Sequence, residues 1–240
     1  MIVKFTNFPK EFKILKKELI KKFNQIGSKG HYVLGEELKN FETNVQKFLK
    51  VKHVLGVGNW TEGTVMVLKA LGYKRGDEII TVSNSFIATC GAIAYEGLVP
   101  KLVDVGDDLN IDVKKIEKKI TNKTKAIMPV HLSGIPSDLD QLNKICKKKK
   151  LHLIEDAAHA FGTKYKKNYI GTIGDVGIFS LHPRKSFHVL GDGGLIITNN
   201  TNLYKKILMM RNHGLINRDK SLIWGTNSRL DNLQAGFGNI

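Results

Sequence analysis

The sequence predicts an α/β fold, a three-layer αβα arrangement in which helices cover both faces of a mainly parallel mixed sheet. Three observations predict it. Seven short apolar runs, "HVLGVG", "EIITVS", "VPKLVDV", "KAIMPVH", "LHLIED", "VGIFSL" and "GLIITN", alternate with segments of helical periodicity. The runs are continuously apolar instead of alternating, as strands buried on both faces are. Polar clusters close most of them, at the strand ends where open α/β sheets collect ligands.

Taken in order, "MIVKFTNFPKEFKILKKELIKKF" reads as an amphipathic, lysine-studded helix, followed by the loop "NQIGSKGHYVLG". The stretch "EELKNFETNVQKFLK" has helical spacing, with Leu38, Phe41, Val45, Phe48 and Leu49 on one face. Between the strands, "TVMVLKALG", "FIATCGAIAYEG", "DVKKIEKKI", "SDLDQLNKICKKKK" and "NLYKKILMMRNHG" supply the helices, and "YKRGDE" and "GLVP" supply turns. No repeat, low-complexity tract or linker interrupts the series. The expected organisation is an N-terminal helix and arm over residues 1–34 and one large domain over 35–240.

With 240 residues, 42% of them hydrophobic, the chain has the composition of a globular protein with a substantial core. The formal charge of +16 is carried almost wholly by scattered lysines, with arginine only at Arg75, Arg184, Arg211, Arg218 and Arg229. Arginine is the side chain suited to bidentate phosphate and base contacts, so the charge reads as a solvated surface that favours small anionic substrates, and no nucleic-acid partner is expected. The densest run, Lys147 to Lys150, ends a helix, where cations suit the macrodipole. Cys90 and Cys146 have no metal-ligand spacing, so no metal site is expected. Without an apolar block of membrane-spanning length or a signal-peptide pattern, no membrane association is expected and the expected compartment is the cytoplasm.

Three strand ends carry candidate chemistry. Glu155 and Asp156 close "LHLIED". Neighbouring side chains on a strand point to opposite faces, so one of the two carboxylates should face inward and needs a partner. That partner is a structural lysine or arginine, or a cationic heterocycle such as a protonated pyridine. In "GNWTEGTVMVL" a polar turn enters a helix, whose free N–H groups and positive dipole end favour a phosphate. Asn59, Thr61 and Glu62 are also plain capping residues, with Thr61 one candidate N-cap. Lys185 lies between two apolar runs, just before the glycine-rich "GDGG" turn at 191–194. An amine in such surroundings is biased towards the neutral form that attacks a carbonyl, whereas an ordinary lysine snorkels to solvent. A phosphate-binding helix start, a strand-end aspartate for a ring nitrogen and a lysine for an aldehyde are together the set that pyridoxal 5'-phosphate (PLP) requires.

The order and wording of "VKHVLGVGNWTEGTVMVLKALG", "GDEIITVSNSFIAT", "KAIMPVHLSGIPSDLDQLNKI", "LIEDAAHAFGTKYKKNYIGTIGDVGIFSLHPRKSFHVLGDGGLIITNN", "RNHG" and "NSRLDNLQA" resemble the DegT/DnrJ-type nucleotide-sugar aminotransferases, from about Gly35 onward. The resemblance implies the PLP-binding large domain of the aspartate aminotransferase fold, fold type I. It implies that Lys185 is the lysine joined to the cofactor and also moves protons, and that Asp156 holds the pyridine nitrogen protonated. Phe86 and Ala158 match positions that sandwich the ring, and His159 one that approaches its 3'-oxygen. Asn59, Trp60, Thr61 and Ser180 match the phosphate site, and Asn227 an asparagine that reaches the partner subunit's phosphate in a homodimer. The implied reaction transfers nitrogen from glutamate to a keto sugar carried on a nucleotide diphosphate, giving an amino-deoxy sugar for polysaccharide or another glycoconjugate.

Two departures accompany the resemblance. Trp60 stands where the family has a small glycine, so its bulk either narrows the phosphate cradle or points away from it. Relatives continue past the position of Ile240 into a smaller carboxyl-terminal domain, so this chain is expected to be the cofactor-binding part without that domain. Two further readings stand beside the aminotransferase: a sugar dehydratase of the same family, in which histidine replaces the lysine, and a cofactor-binding or partner subunit without independent activity. His131, Arg184 and Arg229 carry no assigned role.

Overall fold

The structure is a computed structural model and describes residues 6–240; positions 1–5 of the predicted N-terminal helix lie outside the described residues. In chain order its elements are α1 (Phe8–Lys29), α2 (Glu36–Leu49), β1 (His53–Val57), α3 (Trp60–Ala70), β2 (Glu78–Val82), α4 (Ile87–Tyr95), β3 (Val99–Val103), α5 (Val113–Ile116), β4 (Thr124–Met128), α6 (Leu139–Lys149), β5 (His152–Asp156), β6 (Lys164–Tyr165), β7 (Asn168–Tyr169), β8 (Val176–Ser180), β9 (Gly194–Thr198), α7 (Thr201–Met210), β10 (Leu215–Asn217), β11 (Lys220–Ser221) and α8 (Asn232–Gly238). The seven runs predicted as strands form one seven-stranded sheet of order β1-β9-β8-β5-β4-β2-β3. Pairings β5–β8, β4–β5, β2–β4 and β2–β3 are parallel, and β9 runs antiparallel to both β1 and β8.

The continuous apolar runs are explained by their division between two cores. Val54, Ile80, Ile127, Leu153, Phe179 and Ile197 face one layer with α2 and α6, where Leu38, Phe41, Leu139 and Leu142 are buried. Their immediate neighbours Leu55, Ile79, Ala126, Ile154, Ile178 and Ile196 face the other, with Met66, Val67, Ile93 and Ile207 of α3, α4 and α7. Each strand therefore buries successive side chains on opposite faces. At the sheet margin this breaks down: on β3, Val99 is 41% and Leu102 46% exposed, because an edge strand lacks cover.

The helix ends follow the local chemistry. Asp138 accepts from the Gln141 N–H at the start of α6, which closes with Lys147, Lys148 and Lys149 in its last turn. Asn200 caps α7 through the N–H groups of Asn202 and Leu203. Of the five apolar residues predicted on one face of α2, four are buried, but Phe48 is 48% exposed and stacks on Phe161 at 5.6 Å between ring centroids. The helix turns Phe48 beyond the edge of the buried stripe, where aromatic neighbours replace core. The predicted "DVKKIEKKI" helix is a single α turn, α5, continued by a 3-10 turn at Glu117–Lys119. Two short antiparallel pairs, β6–β7 and β10–β11, were not predicted; with two or three residues per strand they leave no periodic signal.

Both carboxylates at the end of β5 are buried, which corrects the expectation that only one would face inward. Glu155 points to the α2/α6 side. It accepts hydrogen bonds from the backbone N–H groups of Gly171 (2.7 Å), Ile173 (2.8 Å) and Gly174 (2.6 Å) and faces His131 Nε2 at 3.1 Å. Since the Ser137 N–H donates to His131 Nδ1, the ring proton sits on Nε2 and is given to Glu155. Glu155 and His131 thus form a buried post that ties the Gly171–Gly174 loop to the sheet. This settles His131 as a structural residue and leaves the other carboxylate, Asp156, on the opposite face.

Candidate active site

The carboxyl ends of β1, β8 and β5 meet at one level of the sheet. Val57 at the end of β1 pairs with Gly194, which pairs in turn with Ser180 at the end of β8. Two residues back, Ile178 pairs with Asp156 on β5. The turn Gly58–Thr61, the residue Ser180 and the carboxylate of Asp156 are therefore brought together by strand register, although they are far apart in sequence.

At the turn, Asn59 caps α3, its side chain accepting the Glu62 N–H at 2.9 Å. Of the candidate caps it is Asn59, not Thr61, that serves, because Asn59 keeps extended backbone while Trp60 already begins the helix. Thr61 is exposed in the first turn, and among the described residues neither its N–H nor that of Trp60 has a protein acceptor. Those two groups and the Thr61 hydroxyl are free to receive an anion at the positive end of an 11-residue helix. The Trp60 side chain is 6% exposed and packs in the α3/α7 core, so its bulk turns away from the cradle. Its indole Nε1 is buried there without a partner among the described residues.

Gly194 explains the second half of "GDGG". A Cβ at this position would lie 2.7 Å from the Asn59 carbonyl carbon and 2.9 Å from the Trp60 nitrogen. Only glycine lets β9 start against the backbone of the turn. Gly194→Ala is expected to displace the turn and cost about 1–3 kcal/mol of stability. Chemical denaturation measures the loss, and a wild-type midpoint would show that the turn had room for the methyl group.

Asp156 is 3% exposed, and its carboxylate has no ion-pair partner among the described residues. Oδ1 accepts from the Ala158 N–H at 3.2 Å and Oδ2 from the Thr89 hydroxyl at 3.0 Å. Burial pushes its pKa up to about 6, against the pull of those two donors and of the nearby Lys185 charge. Lys185 follows β8 in a turn where its N–H donates to the His182 carbonyl at 2.9 Å, and its side chain is half-buried with no ion-pair partner among the described residues. Burial lowers its pKa; Asp156 pulls it back up and Arg184 adds to the lowering. The two groups feel each other's charge.

His159 is half-buried, and burial together with the Lys185 charge lowers its pKa. The Ser133 N–H donates to His159 Nδ1 at 3.3 Å, which puts the ring proton on Nε2. Ser133 supplies that N–H from a left-handed conformation, φ 52°. Phe86, just before α4, is 74% exposed, a high value for an aromatic ring beside a buried carboxylate. It is tied to Asp156 by one turn of helix, since the Thr89 N–H donates to the Phe86 carbonyl at 3.1 Å. Ala158 is half-buried directly after Asp156, and the Ser180 hydroxyl is buried, accepting from the His182 N–H at 3.3 Å.

Asn227 is exposed and bridges to Asn212, apart from the buried groups around Asp156. Its neighbour Ser228 accepts the Gly58 N–H at 3.1 Å, so the Asn227 segment is pinned to the base of the turn. Arg229 is occupied by Asn212 at 2.8 Å. Thr89, Ser133 and Ser228 were not foreseen. The one signal for Thr89 was a hydroxyl in the otherwise apolar "FIATCGAIAY".

The chain belongs to the DegT/DnrJ/EryC1/StrS aminotransferase family, whose model matches residues 13–240. It is 36% identical over 99% of its length to a pleiotropic regulatory protein of Geobacillus stearothermophilus, covering 64% of that protein. It is 40% identical over 93% of its length to a dTDP-3-amino-3,6-dideoxy-alpha-D-galactopyranose transaminase of Aneurinibacillus thermoaerophilus, covering 62% of it. Among solved structures, DesV of S. venezuelae in complex with a ketimine intermediate superposes with a TM-score of 0.95 at 34% identity, over 99% of this chain and 64% of that one. The chain thus spans less than two thirds of the length of these relatives.

Proposed function

We propose that this chain is the cofactor-binding large domain, residues 35–240, preceded by the N-terminal segment 1–34, of a PLP-dependent aminotransferase that acts on a nucleotide-linked keto sugar. The observation that carries the proposal is the pairing of Asp156 with Lys185: among the described residues, a buried carboxylate without a cation partner and a half-buried amine without an anion partner act on each other through their charges. PLP, the cofactor of this family, fits that pair chemically, because its pyridine nitrogen and its aldehyde present one group to each.

When bound, PLP supplies an aldehyde and an electron-withdrawing ring to the carbon that gains or loses nitrogen. Asp156 would accept the N–H of the ring nitrogen. Lys185 would hold the aldehyde end, and its Nζ would accept and return a proton at the substrate carbon. Burial favours the neutral amine that both roles need. His159 would offer its Nε2–H to the ring oxygen, with Phe86 and Ala158 beside the ring. Asn59 holds the helix start, so that the Trp60 and Thr61 N–H groups, with the Thr61 and Ser180 hydroxyls, take the phosphate.

Glutamate is the proposed donor, and the product is an amino-deoxy sugar for a polysaccharide or other glycoconjugate. Asn227 is proposed to reach the partner subunit's phosphate in a homodimer, and the cytoplasm is the proposed compartment. Among the described residues no helix is long and apolar enough to cross a membrane. Incubation of the full chain with PLP, glutamate and a nucleotide-linked keto sugar tests the reaction: one 2-oxoglutarate is expected per amino sugar formed. Sugar consumption without 2-oxoglutarate would overturn it in favour of dehydration.

A further inference from the structure

Two buried threonines one turn into their helices use their hydroxyls differently. In α3, Thr64 returns its proton to its own helix, donating to the Trp60 carbonyl four residues back at 3.0 Å. In α4, Thr89 donates to Asp156 Oδ2 at 3.0 Å and also contacts the Ser85 hydroxyl at 2.7 Å. Thr89 is 2% exposed and is the only side chain among the described residues that donates to Asp156. An ionised carboxylate only accepts, and a hydroxyl has one proton. With that proton on Asp156, the short contact to Ser85 requires Ser85 to donate to Thr89. The two hydroxyls then form a chain polarised towards the carboxylate, which favours its charged form over the neutral one.

We propose that Thr89, backed by Ser85, is a positioning residue that holds Asp156 Oδ2 in place and stabilises its ionised state for the ring nitrogen. The role of Asp156 towards the ring rests on the PLP reading above; the control of its ionisation does not. The titratable groups that act on Asp156 are Lys185 and His131, and neither replaces the Thr89 donor, since neither is hydrogen-bonded to the carboxylate. The same helical turn carries Phe86, so the group that covers the ring and the group that tunes its acid move together.

The test uses the full chain with three variants. Thr89→Val keeps the shape and removes the hydroxyl, Thr89→Ser keeps the hydroxyl, and Ser85→Ala removes the second link. Carbon-detected NMR of the Asp156 carboxyl in the cofactor-free protein is expected to show proton affinity raised about tenfold in Thr89→Val and near wild type in Thr89→Ser. About a threefold rise is expected in Ser85→Ala. PLP titration followed by absorbance is expected to show about tenfold weaker binding for Thr89→Val at neutral pH. An unchanged Asp156 titration in folded Thr89→Val overturns the proposal. If that variant does not fold, an unchanged titration in Ser85→Ala, which alters a partly exposed hydroxyl, does so instead. Failure of the wild-type chain to bind PLP would overturn the cofactor reading while leaving the NMR result to judge the relay.

Discussion

Lys185→Ala is expected to remove covalent attachment of PLP altogether and to lower transamination by about 10²–10⁴-fold, the range lost with a general acid–base group in addition to the nucleophile. Wild-type chain mixed with PLP should show a visible absorption band, and borohydride should fix one PLP-derived mass on the peptide that contains Lys185. The variant should show neither. The reasoning is local: burial lowers the Lys185 pKa while Asp156 pulls it back, so the amine is more readily neutral than the many exposed lysines of this chain. Surface lysines also form adducts with the aldehyde, but weakly and without selectivity. A fixed adduct spread over many peptides, or retained in Lys185→Ala, would remove the central residue of the proposed site.

Asp156→Asn should have opposite effects on stability and on function. In the cofactor-free protein the carboxyl pKa stands at about 6 instead of its ordinary 3.8, so between about pH 4 and pH 6 the folded state holds a proton that the unfolded chain has released. Where the folded state binds more protons, stability falls as pH rises, and the displacement corresponds to about 3 kcal/mol in full by neutral pH. Asparagine cannot ionise and keeps the shape. The variant is therefore expected to be more stable than wild type near pH 7 by about 1–3 kcal/mol and to lose this part of the pH dependence. Its PLP affinity should fall about 10–100-fold, since a neutral amide cannot balance a protonated ring nitrogen. Urea unfolding at pH 4 and pH 7 and a PLP titration measure both halves. A variant less stable at pH 7, with unchanged PLP binding, would show that Asp156 is a structural carboxylate.

The strand ends that carry the site were legible for a physical reason. A doubly covered parallel sheet demands apolar strands, so polar residues such as Asp156 and Ser180 stand out where those strands end. Lys185 stood out in the same way. The first turn of α3 was located correctly, but which candidate caps it was not legible, because Asn59 and Thr61 have similar capping chemistry and only backbone conformation separates them. Thr89 was missed because its partner lies 67 positions away on another element. Glu155 could not be distinguished from Asp156, since the loop that satisfies it, Gly171–Gly174, presents only backbone N–H groups.

By itself, the sequence determined the alternation of strands and helices, the burial of both sheet faces and the presence of an aspartate, a lysine and a helix start at strand ends, because each of these is written in local periodicity and composition. Which carboxylate is satisfied by backbone and which is left without a cation, where Trp60 turns its indole, and why Gly194 must lack a side chain were decided only by tertiary structure. They depend on strand register and on the approach of segments distant in the chain, and hydrogen bonding and steric exclusion act between atoms that meet in space whatever their separation along the backbone.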